Sequence, residues 1–323
     1  MSWRLFTRAF AAGIAIAMSV AAANAEKIRV ANLEIGAFLP IPYTAKIAAK
    51  HGIEIELVNF RRGLEAANAL KAGEVDIAVG GIEAAISAIG AGAPAVVVAS
   101  CTTGGVAWVA GKDSPVNSIQ DLKGHKFAVI RGLHELIMRV EFEQHNLTMS
   151  AEPGEADIHV VYINSPPALN VALKAGEVDA MSAPEPFPSR AISEGYAKPL
   201  LLPYDTPLGD VPRAVFMRKD FLAAHPDEAQ KFVDALVDAT KQLRDDPSLA
   251  KDFALNDALR DAMTEADWDL TIQNLKFNVS LDAAEVEHYI DYMTKYGMLK
   301  TAITASDVAS LDMLEKAKAE YGW

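Results

Sequence analysis

LKAGEVD stands at Leu70–Asp76 and again at Leu173–Asp179. Each copy closes a helix-forming run, reaches a glycine (Gly73, Gly176) where helix C-caps fall, and enters an apolar, β-rich run. The first copy opens onto VDIAVGG and then Ile82-Glu83; the second opens onto VDAMSAP and then Glu185-Pro186. A helix that turns at glycine into a buried strand is part of a βαβ unit. The same unit used twice predicts two related α/β lobes. Each would deliver a loop at the carboxyl end of a strand, where open α/β sheets bind ligands. Two such lobes facing each other line one cleft. If the repeat is only a duplicated structural turn, two related lobes still follow.

Working outward, the series around the first copy predicts strands at Ile28–Leu33, Ile53–Phe60, Val75–Val79 and Ala95–Ser100. Helices are expected between them at Tyr43–Lys50, Leu64–Ala72 and Glu83–Gly90, followed by Gly52, Gly73 and Gly92. The series restarts with strands at Phe127–Ile130, His159–Ile163 and Val178–Ser182 and helices at His134–Asn146 and Ala168–Ala175. Loops DSPVNS (113–118) and PYDTPLGDVP (203–212) carry the Pro, Gly, Asp and Ser of domain borders. Two strand-like segments beside them, Val106–Lys112 and Arg213–Lys219, are expected to cross between lobes as a two-stranded hinge. From Phe221 onward the pattern reads as almost wholly helical, with capping-box starts at Thr264/Asp267 and Asp282/Glu285. The expected organisation is a signal peptide at 1–25, a first lobe over 26–112, a second over 113–212, and a return to the first over 213–323.

Residues 1–25 have Arg4 and Arg8, then an Ala-rich apolar run, then Ala23-Asn24-Ala25. That is the pattern of a secretory signal cleaved after Ala25, which predicts a periplasmic protein with no stable membrane insertion. The run is shorter than the ~20 residues a spanning helix needs. The remaining chain is long enough for two cores at roughly 100–200 residues per domain. The single Cys101 leaves no internal disulfide, so packing alone holds the fold. A net charge of −13 argues against a nucleic-acid binder and fits a soluble monomer. The seven His form no tight cluster for a metal, and no G-x-S-x-G, P-loop or G-x-G-x-x-G is present.

Four stretches carry a resemblance: ALKAGEVDIAVGGIEAAISAIGAGAPAVVVAS, SIQDLKGHKFAV, ALKAGEVDAMSAPEPF and RKDFLAAHPDEAQKFVDA. With them the chain resembles the periplasmic solute-binding proteins of ABC importers, in the branch that takes nitrate, sulfonates, taurine and thiamine-pyrimidine precursors. The resemblance implies a two-lobed type II periplasmic binding fold, each lobe a doubly wound sheet, closing on a small organic anion or zwitterion. It implies a membrane permease and an ATPase as partners, and neither catalysis nor a cofactor. A ligand-binding sensor subunit, or a pyrimidine-precursor binder or synthase-like protein, is the alternative on the same scaffold. The synthases use a Cys-rich segment that this chain lacks.

The strand-to-helix turns supply the candidate ligand residues, because helix starts offer free N–H groups to anions. In the first lobe these turns hold Glu34 and Phe38, Arg61, and Gly80, Gly81 and Glu83. In the second they hold Arg131 and His134, Ser165, and Glu185. Arg131 lies where the resemblance places the first cleft loop of the second lobe; it and Arg61 could grip an anion. Gly80 and Gly81 would let the backbone approach closely. Glu83 and Glu185, after the two repeats, could accept from a ligand amine, or could serve as a helix-start residue and a loop brace. Phe38, Trp108 and Phe187 could stack on a flat ligand or belong to the core.

Overall fold

The computed structural model describes residues 27–323, save Pro153 and Asp261. The signal-peptide expectation therefore lies outside the described residues. Two six-stranded mixed sheets form the frame. The strands are β1 (Ile28–Leu33), β2 (Ile55–Phe60), β3 (Ile77–Gly81), β4 (Ala95–Gly104), β5 (Val106–Gly111) and β6 (Lys126–Val129). They continue with β7 (Met149–Ser150), β8 (Ile158–Tyr162), β9 (Ala180–Pro184), β10 (Ala197–Leu201), β11 (Pro212–Arg218) and β12 (Leu275–Phe277). The first sheet runs β12-β4-β11-β3-β1-β2 and the second β10-β5-β9-β6-β8-β7.

The two sheets share a plan. Each has a parallel trio, β2-β1-β3 in one and β8-β6-β9 in the other. Beside the third strand each places an antiparallel strand that follows a crossing, β11 against β3 and β5 against β9. Helices cover both faces. On the first sheet, helices 40–47 and 226–245 pack on one side, and helices 63–72, 82–90 and 283–295 on the other. The latter core continues into the second sheet through Trp108, Phe127 and the helix over 133–144, so one apolar body joins the lobes. Trp108 is sealed in it, 4.5 Å from the Phe127 ring and 5.6 Å from Phe142, and is a core residue.

Both repeats fold alike. Gly73 (φ 78°) and Gly176 (φ 69°) take the left-handed conformation that ends their helices. Gly73 N–H donates to the Leu70 carbonyl at 3.0 Å, and Gly176 N–H to the Leu173 carbonyl at 3.1 Å. The closing aspartates then pin a neighbouring strand. Asp76 N–H donates to the Arg29 carbonyl (2.8 Å) and its Oδ2 accepts from Arg29 N–H (3.0 Å). Asp179 N–H donates to the Lys126 carbonyl (3.0 Å) and its Oδ2 accepts from Lys126 N–H (2.8 Å). These aspartates lie at the amino ends of β3 and β9, away from the carboxyl ends that carry the site. The heptapeptide is a strand-registering device.

Three sequence expectations change. The segments over 106–112 and 213–219 do not form a two-stranded hinge: β5 lies wholly in the second sheet and β11 wholly in the first. The first crossing is at Gly104 and Gly105, whose φ values of 80° and 69° break the strand, and not at residue 112. The region after Phe221 also contains a strand, β12, of only three residues, too short to show a period of two. The edge strands β7 and β10 went unpredicted for similar reasons; β10 carries Pro199 at an irregularity in its ladder.

Candidate functional site

The carboxyl ends of β1, β2, β3, β6, β8 and β9 converge on a cavity of about 350 Å³ between the lobes. Leu33, Ile35, Phe38, Leu64 and Met298 wall it from the first lobe, and Ile130, Leu133 and Pro184 from the second. Three buried polar residues face into this apolar wall: Glu83, His134 and Arg213. Arg61, Arg62, Arg131 and Asn164 also contribute to the lining.

Of the residues proposed from sequence, Phe38, Arg61, Gly81, Glu83, Arg131 and His134 meet at this wall; Glu34, Gly80, Ser165 and Glu185 do not. Glu34 is exposed and accepts from Asn59 Nδ2 at 2.7 Å. Gly80 permits close packing instead: a Cβ there would come within 3.3 Å of Gly63 Cα and 3.2 Å of Ala84 Cβ. Ser165 is the exposed residue before the helix over 166–174, and only its neighbours Asn164 and Pro166 reach the wall.

Glu185 is a brace. It is 1 % exposed, and its carboxylate accepts from Ser189 N–H (3.2 Å), Thr271 Oγ1 (3.3 Å) and Asn274 Nδ2 (2.7 Å). It thereby ties the second lobe's turn to the C-terminal region. Burial pushes its carboxyl above the usual range, and those donors oppose the shift.

Glu83 differs. Its carboxylate sits between Gly81 of one lobe and Gly132 of the other. A Cβ on Gly81 would fall 2.1 Å from Oε2, and one on Gly132 would fall 3.1 Å from Oε1. These glycines make room for this side chain. Burial raises its carboxyl; Arg213 and the N–H groups of Leu133, Ala84 and Glu83 itself pull the other way. Its Oε2 is buried with no partner.

Arg213, absent from the sequence candidates, is the second residue of β11, at the crossing. It is 3 % exposed and donates through Nη2 to the Gly104 carbonyl at 2.8 Å, while Nε has no partner. The one sequence signal was an arginine beginning the otherwise apolar run RAVFM after a border loop. His134 Nδ1 is 3.0 Å from Ser182 Oγ. Burial, reinforced by Arg213, pulls the imidazole down to about 3, so it is neutral near pH 7. Ser182 is fully buried and off the cavity wall, so this pair orients the ring and presents no nucleophile.

Arg131 and Arg62 are partly engaged. The Arg131 guanidinium lies 3.7 Å from the Tyr162 ring centroid and 3.8 Å from Glu135. Arg62 pairs with Glu65 at 3.0 Å. Among the described residues, no group of three or more His, Cys, Asp or Glu is arranged to hold a metal, and no helix is long and apolar enough to cross a membrane.

A site at the facing strand ends of two lobes can be set beside known proteins. The profile of the NMT1-like family matches residues 22–255. The chain belongs to the NMT1-like family. No curated protein sequence matches it. Among solved structures, this NMT1-like chain is similar to the alkanesulfonate-binding protein of Xanthomonas axonopodis pv. citri bound to MOPS. That match has 20 % identity over 87 % of this chain and 97 % of the other, with a TM-score of 0.72. It is also similar to the periplasmic nitrate-binding protein of Synechocystis PCC 6803, at 16 % identity over 92 % and 89 % with a TM-score of 0.76. A third is the ligand-binding component of an ABC-type import system from Staphylococcus aureus with zinc bound, at 18 % identity over 90 % and 98 % with a TM-score of 0.74. The NMT1-like chain therefore has the two-lobed α/β periplasmic binding fold, in its type II form.

Proposed function

We propose that this NMT1-like protein is the extracytoplasmic solute-binding subunit of an ABC import system. It captures a small organic anion or zwitterion between its lobes and delivers it to a membrane permease coupled to an ATPase. The observation that carries this reading is the cavity itself: apolar, walled by both lobes, with the buried Arg213 facing in. Its volume falls within the roughly 300–1,000 Å³ usual for small-molecule sites. Contacts to both lobes give a ligand differential affinity for the closed state, and only differential affinity shifts an open–closed equilibrium. The permease would read that closed shape. The functions of the similar proteins, binding of alkanesulfonate or nitrate and a part in ABC-type import, support the same role. The apolar wall favours a ligand with a hydrocarbon body over bare nitrate.

The test is a thermal-shift screen of residues 26–323 against alkanesulfonates, amino acids, aromatic acids and nitrate, with native mass spectrometry of the purified protein. A ligand at 100 times its dissociation constant adds about 2.7 kcal/mol, enough to raise the melting temperature by several degrees. No shift with any class and no small molecule carried through purification would defeat the reading.

A further inference from the structure

The cavity contains two polar groups of opposite need. Glu83 Oε2 and Arg213 Nε are buried without a protein partner, on side chains that line the same space. Among the described residues, no ion pair within 4 Å joins the two side chains. A carboxylate oxygen can only accept and a guanidinium N–H can only donate. Each left dry carries the full desolvation penalty of a charged group. One bound molecule that donates to the first and accepts from the second removes both penalties.

The placement of Glu83 narrows the chemistry. Its carboxylate fills the gap between Gly81 and Gly132 and faces the Leu133 N–H that opens the second lobe's helix over 133–144. That helix start, which would otherwise suit a ligand's anion, is thus taken by the protein's own carboxylate. An anionic ligand group is repelled there and is left with the arginines of the wall, of which Arg213 is the buried one. The third buried polar residue, His134, is neutral and adds no charge to the balance.

We propose that the ligand is a zwitterion with an apolar body, its ammonium group on Glu83 and its carboxylate or sulfonate on Arg213. The hydrocarbon part lies against Phe38, Leu33 and Ile130. A plain anion leaves Glu83 Oε2 unpaired beside a second negative charge; a plain amine leaves Arg213 unmatched. This inference rests on the import reading above and specifies its substrate class.

Matched compounds test it by titration calorimetry. Each set keeps one body and removes one charge: leucine, 4-methylpentanoate and 3-methylbutylamine; phenylalanine, 3-phenylpropanoate and 2-phenylethylamine; taurine, ethanesulfonate and ethylamine. The first two sets probe a carboxylate, the third a sulfonate. In at least one set the zwitterion should bind at least about tenfold more tightly than either truncated partner, as a charge-assisted hydrogen bond in a dry site requires. Glu83→Gln, nearly the same size, should remove that advantage without weakening the acid-only compound; circular dichroism checks that it folds. An acid-only compound that binds as tightly as its zwitterion, or a Glu83→Gln protein that keeps the zwitterion's affinity, overturns the inference and leaves the import reading intact. So does native mass spectrometry that finds an amine-free acid in the cleft. Absence of any bound or binding molecule defeats the import reading itself, and this inference with it.

Discussion

Glu83 and Glu185 stand just beyond the same seven residues and do opposite work. One sits on the cavity wall with an unpartnered oxygen; the other is fully satisfied by Ser189, Thr271 and Asn274. The difference is one residue of register. Glu83 lies seven positions after Asp76, whereas Glu185 lies six after Asp179, so the repeat aligns Glu185 with the fully buried Ile82. At a strand-to-helix turn a one-residue offset sends a side chain to a different face. The shared heptapeptide builds both lobes, and the length of the strand and turn after it decides which lobe supplies the buried charge.

The largest effect that would sharpen this contrast comes from Arg213→Met. It removes the cation opposite Glu83 and should weaken ligand capture by about 100-fold or more, within the 2–5 kcal/mol typical of truncating a buried charge partner. Titration of the tightest compound from the matched sets measures it. Glu185→Ala should instead cost about 3 kcal/mol of stability in urea unfolding, because three donors lose a buried acceptor. Ligand affinity in that variant should stay within about threefold, a change of well under 1.4 kcal/mol. A large affinity loss there, with stability intact, would reverse the roles assigned to the two glutamates.

Comparing the repeats themselves should give smaller numbers. Asp76 receives the Arg29 backbone and guanidinium, at 3.0, 3.2 and 2.7 Å, and lies 3.8 Å from Arg218. Asp179 holds the Lys126 backbone and stands 3.3 Å from His125, with a third of its side chain exposed. Asp76→Asn should therefore cost about 2 kcal/mol and Asp179→Asn about 1 kcal/mol in urea unfolding, since exposed pairs contribute little. Equal losses would mean that only the shared backbone bonds matter.

His134 adds a pH signature to the second lobe. Its folded pKa, about 3, lies below the unfolded 6.5. The unfolded chain therefore binds a proton first as pH falls, and stability is lost from about pH 6.5 downward. At pH 5.5, one unit below the unfolded pKa, the loss is about 1.3 kcal/mol relative to neutral pH. His134→Gln should lack this component. The raised carboxyls, Glu83 among them, act in the opposite direction: their stability contribution grows as pH falls toward 4.5. They are common to both proteins, so the wild-type-minus-variant difference isolates His134. A difference that does not change with pH would mean that the imidazole titrates alike in the folded and unfolded chain, and would overturn its burial as a neutral ring.

Much of the frame was legible because its signals are local. The run IRVANL reads as a buried strand, and β1 spans those residues. Gly52 and Gly73 cap helices where the sequence places them. The site was legible in outline, as strand ends and helix starts, and six of its proposed residues reach one wall. The failures were long-range. Arg213 reaches the cavity only because two consecutive left-handed glycines, Gly104 and Gly105, carry the chain between sheets and leave β11 beside β3. Met298 arrives from beyond the helix over 283–295, which no local pattern connects to the cleft. For Glu185 the sequence left a ligand role and a loop brace open, because the partners that make it a brace, Thr271 and Asn274, lie far along the chain.

The most direct measurement is one calorimetric comparison of wild type, Glu83→Gln and Glu185→Gln against the tightest matched zwitterion. The account predicts that Glu83→Gln weakens binding by at least about tenfold, with the unliganded protein no less stable, since a dry carboxylate oxygen is removed. Glu185→Gln should bind within about threefold of wild type while unfolding at lower urea. Undiminished binding by Glu83→Gln, or its loss in Glu185→Gln, would contradict the account.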